Sequence, residues 1–247
     1  MPPVDYDDVA ATYDQRYARQ AYDGVTRALL DFIGDTGNVA ALEIGCGTGH
    51  WLRVIAPHVA SALGVDRSWE MLQRARGAAT ALLIHAAAEQ LPLADAQFGR
   101  AFCVNALHHF ADPAVFMDEC RRVLRPGGAL LTIGLDPHSG EDQWWIYDYF
   151  PGARAADRER YRSTNAIREM LLAAGFVSAH SEVVQHLPAS RPYERALKQG
   201  LLDRRSTSQL MVISDDEFAA GMLRLSSERP VLRADLRLYG TFATVPA

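Results

Sequence analysis

Glu43-Ile44-Gly45-Cys46-Gly47-Thr48-Gly49 decides how the rest of the chain reads. It joins a short apolar run, Val39-Ala40-Ala41-Leu42-Glu43-Ile44, to a segment from His50 to Val59 whose apolar residues recur at helical spacing despite Pro57. The order is strand, glycine loop, helix, and closely spaced glycines let a ligand lie against bare backbone. A dinucleotide fingerprint, G-x-G-x-x-G, does not fit. Counted from Gly45 it needs glycine at position 50, which is His50; counted from Gly47 it needs glycine at position 52, which is Leu52.

Moving outward, Ala62-Leu63-Gly64-Val65-Asp66 reads as a second strand and Trp69 to Arg76 as its helix, with Trp69, Met71, Leu72 and Ala75 on the apolar side. Ala81-Leu82-Leu83-Ile84 is a third apolar run and Arg100 to Asn105 a fourth. Asp112-Pro113 supplies the N-cap and first-turn proline of a helix reaching Leu124, whose buried face is Phe116, Cys120, Val123 and Leu124. Arg125-Pro126-Gly127-Gly128 ends that helix and leads into the strand Ala129 to Ile133. A helix from Thr164 to Ala174 closes at Gly175, and Phe176 to Val184 alternates as a strand. Strands alternating with helices predict an α/β fold with a mostly parallel sheet and helices on both faces. Ligands of such sheets bind beyond the carboxyl ends of the strands, where strand order reverses. Asp66 ends the second strand, where its carboxylate can accept both ribose hydroxyls of a nucleoside or, alternatively, cap the following helix.

Size and composition narrow the function classes. A chain of 247 residues fits one α/β domain with insertions. A net charge of −5 argues against a nucleic-acid partner. Lys198 is the sole lysine, so no phosphate loop of the G-K-[ST] type exists, and Schiff-base chemistry has one candidate, in a polar stretch. Cys46, Cys103 and Cys120 read as reduced structural thiols, and no apolar run approaches the 18 or so residues of a membrane span. The acidic N-terminus does not resemble a secretory signal, so the expected location is cytoplasmic and no membrane partner is expected.

Five segments, in order, resemble those of class I S-adenosylmethionine-dependent methyltransferases, in particular the small-molecule subgroup of quinone and natural-product enzymes. They are the glycine loop, Gly64-Val65-Asp66-Arg67-Ser68-Trp69-Glu70-Met71-Leu72, Ala88-Glu89-Gln90-Leu91-Pro92-Leu93, Asn105-Ala106-Leu107-His108-His109-Phe110 and Arg122-Val123-Leu124-Arg125-Pro126-Gly127-Gly128. The resemblance implies a Rossmann-like seven-stranded sheet with the last strand antiparallel, and S-adenosylmethionine as cofactor. It implies that Glu43 orders the loop, that Gly45 and Asn105 offer carbonyls to the methionine ammonium, that Gly47 passes close to the cofactor, and that Cys46 and Gly49 complete the cofactor-binding loop. Asp66 would hold the ribose beside Arg67, Met71 would pack on adenine, and Ala88 and Glu89 would border the ring edge. Ala87 departs from the family, which often has Asp there to accept from the adenine amino group. Upstream, Tyr6, Tyr13, Tyr17 and Tyr22 are similar to the tyrosine-bearing segment that closes over the cofactor, with ordinary helix packing as the alternative for each.

On this reading the chain is one domain: an N-terminal helical cap (1–30), a cofactor core (35–135), and two acceptor-side insertions (136–163 and 187–233) forming a helical lid. The second insertion contains a capping box from Ser214 to Glu217. Displacement at a sulfonium needs alignment and exclusion of water rather than a nucleophilic residue. A hydroxyl acceptor also needs a base, for which His108 and His109 are the candidates, with loop hydrogen bonding as their other reading. Trp144, Tyr147 and Tyr149 are candidates for the acceptor pocket, with packing of the insertion as the competing reading. Arg154, Arg158, Arg160 and Arg162, interleaved with Asp157 and Glu159, read as a solvated face. Asp136, His138 and Glu141 form no metal-ligand spacing, so no metal is expected. The expected function is methyl transfer to O or N of a small molecule. An RNA or protein methyltransferase, or a cofactor-binding protein without transferase activity, are the alternatives.

Overall fold

The computed structural model describes residues 6–11, 13–34, 38–76 and 81–247. Parts of the expected N-terminal cap and cofactor core, residues 1–5, 12, 35–37 and 77–80, lie outside the described residues. The strands are β1 (Ala40–Ile44), β2 (Ser61–Asp66), β3 (Leu82–His85), β4 (Phe98–Val104), β5 (Leu124–Gly134), β6 (Gln143–Trp144), β7 (Ser178–Pro192) and β8 (Val231–Thr244). The chain folds as two compact units. One comprises the described part of Asp5–Gly134 with Thr164–Gln185 and Tyr239–Ala247; the other comprises Leu135–Ser163 and His186–Leu238.

In the first unit β3, β2, β1, β4 and β5 lie side by side in that order, all parallel, and β8 runs antiparallel to β5 with Ile133 opposite Gly240. β7 pairs with β8, and the Ser181 and Thr241 hydroxyls meet across that pair at 2.9 Å. Strand order reverses between β1 and β4, so the loops after these two strands open toward the same crevice. Parallel strands covered on both faces must be apolar throughout, which is why Leu42, Ile44, Val65, Ala101 and Cys103 are fully buried. The helix Pro113–Val123 starts where its cap requires: the Asp112 carboxylate accepts the N–H groups of Ala114 and Val115 at 2.9 and 3.2 Å. Its face of Phe116, Met117, Cys120 and Val123 is buried, each large side chain contributing about 1.5–3 kcal/mol.

The helix Trp69–Arg76 has the bounds its spacing predicts, but Trp69 does not join its buried face. It is 40% exposed, and the Arg76 guanidinium lies over its ring, 4.6 Å from the centroid. At the first position of the helix the indole is two residues ahead of Met71, so it points away from the buried stripe.

The second unit has its own core. Trp145, Ile146, Phe150 and Ala153 from the first insertion pack with Tyr193, Ala196, Leu202, Leu210, Ile213, Leu225 and Leu232 from the second. Here the arginine-rich stretch is not wholly a solvated face. Asp157 is fully buried and accepts from Arg160, whose side chain is only 12% exposed, and from the Tyr147 hydroxyl at 2.7 Å. Interleaved charge at i and i+3 predicts a surface, yet it serves equally well to carry one ion pair inward. The helix Asp215–Glu228 begins as its capping box predicts on one limb, with Ser214 Oγ accepting from Glu217 N at 3.2 Å. The Glu217 carboxylate instead accepts from Gly152 N at 2.6 Å, joining the two insertions. Among the described residues no helix is long and apolar enough to cross a membrane.

Candidate functional site

The site in the first unit grows from the loop after β1. Gly45, Gly47 and Gly49 all adopt positive φ (74°, 52° and 76°), which side-chain-bearing residues rarely sustain. The N–H groups of Gly45 and Cys46 both donate to Val65 O, at 2.8 and 3.0 Å, tying the loop to the end of β2. A Cβ at Gly45 would stand 2.4 Å from that of Ala106, so this glycine lets the loops after β1 and β4 meet. At Gly47 the nearest atom to such a Cβ is on the Tyr13 ring, 3.9 Å away, leaving bare backbone facing an open space.

Asp66 closes one side of this space. Its Oδ2 accepts from Gly47 N at 2.7 Å and its Oδ1 from Ser68 N at 2.8 Å. The carboxylate therefore does what the capping alternative requires and also holds the glycine loop, while each oxygen keeps a second lone pair. Burial pushes its pKa up against the pull of these N–H groups. Glu43, one strand over, is 1% exposed, and its Oε2 has no hydrogen-bond partner among the described residues. Burial, and after it the nearby charge of Asp66, hold the Glu43 carboxyl well above the ordinary glutamate range.

The other expected contacts are placed as follows. Cys46 turns its side chain into a cluster with Leu52 and Leu72, so only its backbone borders the loop. Arg67 is exposed and its carbonyl meets His85 Nε2 at 2.9 Å. Met71 is buried, and its N–H donates to Ser68 Oγ. Ala88 is buried, while Glu89 accepts from Ala111 N at 2.6 Å and so braces the loop after β4. Asn105 follows β4 at φ 51°, in the left-handed region that asparagine enters more readily than other residues with a Cβ, and its N–H donates to Ile133 O at 2.7 Å.

Beyond Asn105, a short turn carries His108 and His109, with ring centroids 3.8 Å apart. The Tyr6 hydroxyl is hydrogen-bonded to His109 Nε2 at 2.5 Å, and the two rings meet edge to face. Tyr6 also meets Tyr13 edge to face, so a chain of rings runs from His109 to the glycine loop. Asp7 and Asp14 fix the same segment through the hydroxyls of Ser68 and Thr48.

Sequence reasoning missed three contributors. Arg122 bonds Glu119, Asp95 and the carbonyls of Leu91 and Leu93, clamping the segment that follows Ala88. Glu119 also accepts from Leu91 N at 2.7 Å. Their spacing of three on one helix was the available sign. The third is Arg16, whose guanidinium lies 3.8 Å from the Tyr13 ring centroid. A lone arginine inside a run of tyrosines was its only signal.

The acceptor candidates Trp144, Tyr147 and Tyr149 belong to the second unit and make bonds within it. Trp144 meets Tyr147 edge to face, and Tyr149 donates to Glu228 at 2.6 Å under the Arg224 guanidinium. Among the described residues no group of three or more His, Cys, Asp or Glu side chains could hold a metal ion.

Residues 42–132 match a family model described as a methyltransferase domain. The chain is 36% identical over 152 residues to an uncharacterised 37.1 kDa protein encoded in a transposon of Streptomyces fradiae, an alignment covering 57% of this chain and 39% of that one. It is 33% identical over 106 residues to a ubiquinone biosynthesis O-methyltransferase of Alkalilimnicola ehrlichii, covering 40% and 43% respectively. The chain thus spans about two fifths of the length of these curated relatives. Among solved structures, its fold is similar to that of a Haemonchus contortus phosphoethanolamine N-methyltransferase 2 in complex with S-adenosyl-L-methionine, with a TM-score of 0.64, 17% identity, and 98% of this chain and 57% of that one covered.

Proposed function

We propose that this chain, which carries a class I S-adenosylmethionine-dependent methyltransferase domain, transfers the methyl group of S-adenosylmethionine to an oxygen or nitrogen of a small-molecule acceptor. The observation that carries the reading is the junction of Gly47 with Asp66: a left-handed glycine with open space before it, held by a carboxylate that keeps lone pairs for two hydroxyls. The residues fit the cofactor on this ground, with Asp66 toward the ribose, Gly45, Gly47 and Asn105 along the amino-acid end, and Met71, Ala88 and Glu89 toward the base. When bound, the cofactor supplies an electrophilic methyl on a sulfonium.

The chain's own part is alignment, exclusion of water and removal of a proton. The left-handed turn at Asn105 fixes where the loop after β4 begins, and rigid placement matters because in-line displacement tolerates little misorientation. His108 or His109 takes the proton of a hydroxyl acceptor. The Tyr6 bond to His109 supports this by fixing that ring, and it places the N-terminal segment against the same turn. Alcohols need such a base more than phenols or carboxylates do, so a histidine substitution slows alcohol acceptors most. The O- and N-methyltransferases among the similar proteins support both acceptor atoms.

Incubation with S-adenosylmethionine labelled in the methyl group and a fractionated lysate tests the reading. Label is expected in small metabolites. Label in RNA or protein would replace the acceptor class, and no transferred label despite cofactor binding would leave a binding protein.

A further inference from the structure

In the second unit, the helix Pro151–Arg160 carries a buried aspartate with ample donors and an arginine with donors to spare. The Asp157 carboxylate accepts from Arg160 Nη2 at 2.5 Å, from the Tyr147 hydroxyl at 2.7 Å and from Gln209 Nε2 at 3.0 Å. Arg160 Nε and Nη1, by contrast, are buried with no acceptor among the described residues. The imbalance has a sign: the network lacks an acceptor, and the acceptor that a guanidinium binds most strongly is an oxyanion. The Arg160 side chain keeps 12% of its surface, so it is approachable from one side.

Its neighbours are occupied differently. Arg158 Nε reaches Pro137 O, Arg162 reaches the Glu159 carbonyl, and Arg154 lies over the Tyr147 ring. In this stretch four arginines face two acids, Asp157 and Glu159, so a further anion enters a positive local field. One negative charge is as much as a guanidinium already shared with Asp157 balances, which favours a carboxylate over a phosphate. His138 Nε2 donates to the carbonyl of Tyr161, the residue after Arg160, at 3.0 Å. The segment that follows β5 in the chain is thereby tied to the end of the helix that bears Arg160.

We propose that Arg160 anchors a carboxylate of the acceptor through these N–H groups, so that the acceptor is a carboxylic acid methylated at another atom. The inference rests on the proposed transfer to a small molecule and names its substrate class.

The test uses the full chain, S-adenosylmethionine labelled in the methyl group, and the protein-free small-molecule fraction of a lysate. One portion is left intact, a second has its carboxylates converted to primary amides, and a third is treated with phosphatase. Label is expected from the intact and phosphatase-treated portions, reduced at least 10-fold in the amidated one, in a product that survives mild base. Arg160→Gln is expected to raise the amount of intact fraction needed for half-maximal transfer about 10- to 100-fold, the worth of a charged hydrogen bond, with S-adenosylhomocysteine affinity within about two-fold. Because R160Q leaves Asp157 buried and unpaired, the double variant D157N/R160Q, which removes both charges, is measured beside it and should show the same loss. Equal label from intact and amidated portions would overturn the proposal, as would full transfer by the double variant. Loss of label after phosphatase would make the anchored group a phosphate, and a base-labile product would make the carboxylate the methylated group; either result overturns it. If no portion takes label although S-adenosylhomocysteine binds, the transfer reading itself falls, and this proposal with it.

Discussion

At the scale of single residues, two carboxylates a strand apart behave oppositely. Asp66 accepts two backbone N–H groups, whereas Glu43 Oε2 is buried with no donor among the described residues. Asp66→Ala is expected to weaken S-adenosylhomocysteine binding by about 1.5–3 kcal/mol, the worth of hydrogen bonds to a charged group. Calorimetry that returned an unchanged affinity would remove Asp66 from the ribose. Glu43 gives a pH signature. Its pKa is raised in the folded state, so the native protein holds a proton that the unfolded chain releases once pH passes the ordinary glutamate value of 4.5. Stability from this group is thus complete below that value and is lost as pH rises toward the folded pKa. Glu43→Gln, which cannot ionise, should gain stability relative to wild type as pH increases from 4 to 8. Thermal midpoints that stay parallel across that range would contradict it. The sequence marks both residues by position, at the ends of adjacent strands. It could not reveal Glu43's orphaned oxygen, because burial of a side-chain atom depends on every strand and helix packed around it.

Whole elements were the most legible level. The glycine loop, the helix Trp69–Arg76 and the Asp112 cap stand where their local signals put them, since turns and caps depend on a few adjacent residues. Asp112→Ala should accordingly cost about 1 kcal/mol, the usual loss for an N-cap, measurable by urea unfolding. A loss near zero would mean that Pro113 alone sets the helix start. The failures came where a local pattern met a distant partner. Spacing puts Trp69 on the apolar side, but the stripe narrows at the helix start and leaves it 40% exposed. The Ser214 to Glu217 spacing predicts a capping box on one helix, but the Glu217 carboxylate accepts from Gly152 N, 65 residues earlier. Asp157 and Arg160 looked solvated because sequence spacing cannot show what the opposite insertion brings, which is Gln209 at 3.0 Å from Asp157.

For the molecule as a whole, the strand-and-helix alternation predicted the parallel sheet, while the organisation of the insertions was invisible. Neither insertion has a core alone; each supplies part of a shared one. Phe150, fully buried, stacks on Phe218 with ring centroids 5.9 Å apart, and Gly221 is small because a Cβ there would stand 2.2 Å from the Phe150 ring. Phe150→Ala should therefore destabilise this unit by about 3–5 kcal/mol in urea unfolding. A loss under about 1 kcal/mol would show that the second insertion's helices hold together without the first.

The position of β8 has a consequence for how the chain reaches its native state. β8 is the strand that joins β5 to β7, yet it follows every other described strand in the sequence. Until Tyr239–Thr244 emerges, the outer edge of β5 is open and β7 has no neighbour, although the parallel strands from β1 to β5 can already pair. Completion of the sheet therefore waits on a long-range insertion, a step that is intrinsically slow because loop closure precedes its reward. During that interval the exposed apolar edge of β5 is where a nascent or refolding chain would associate with another copy.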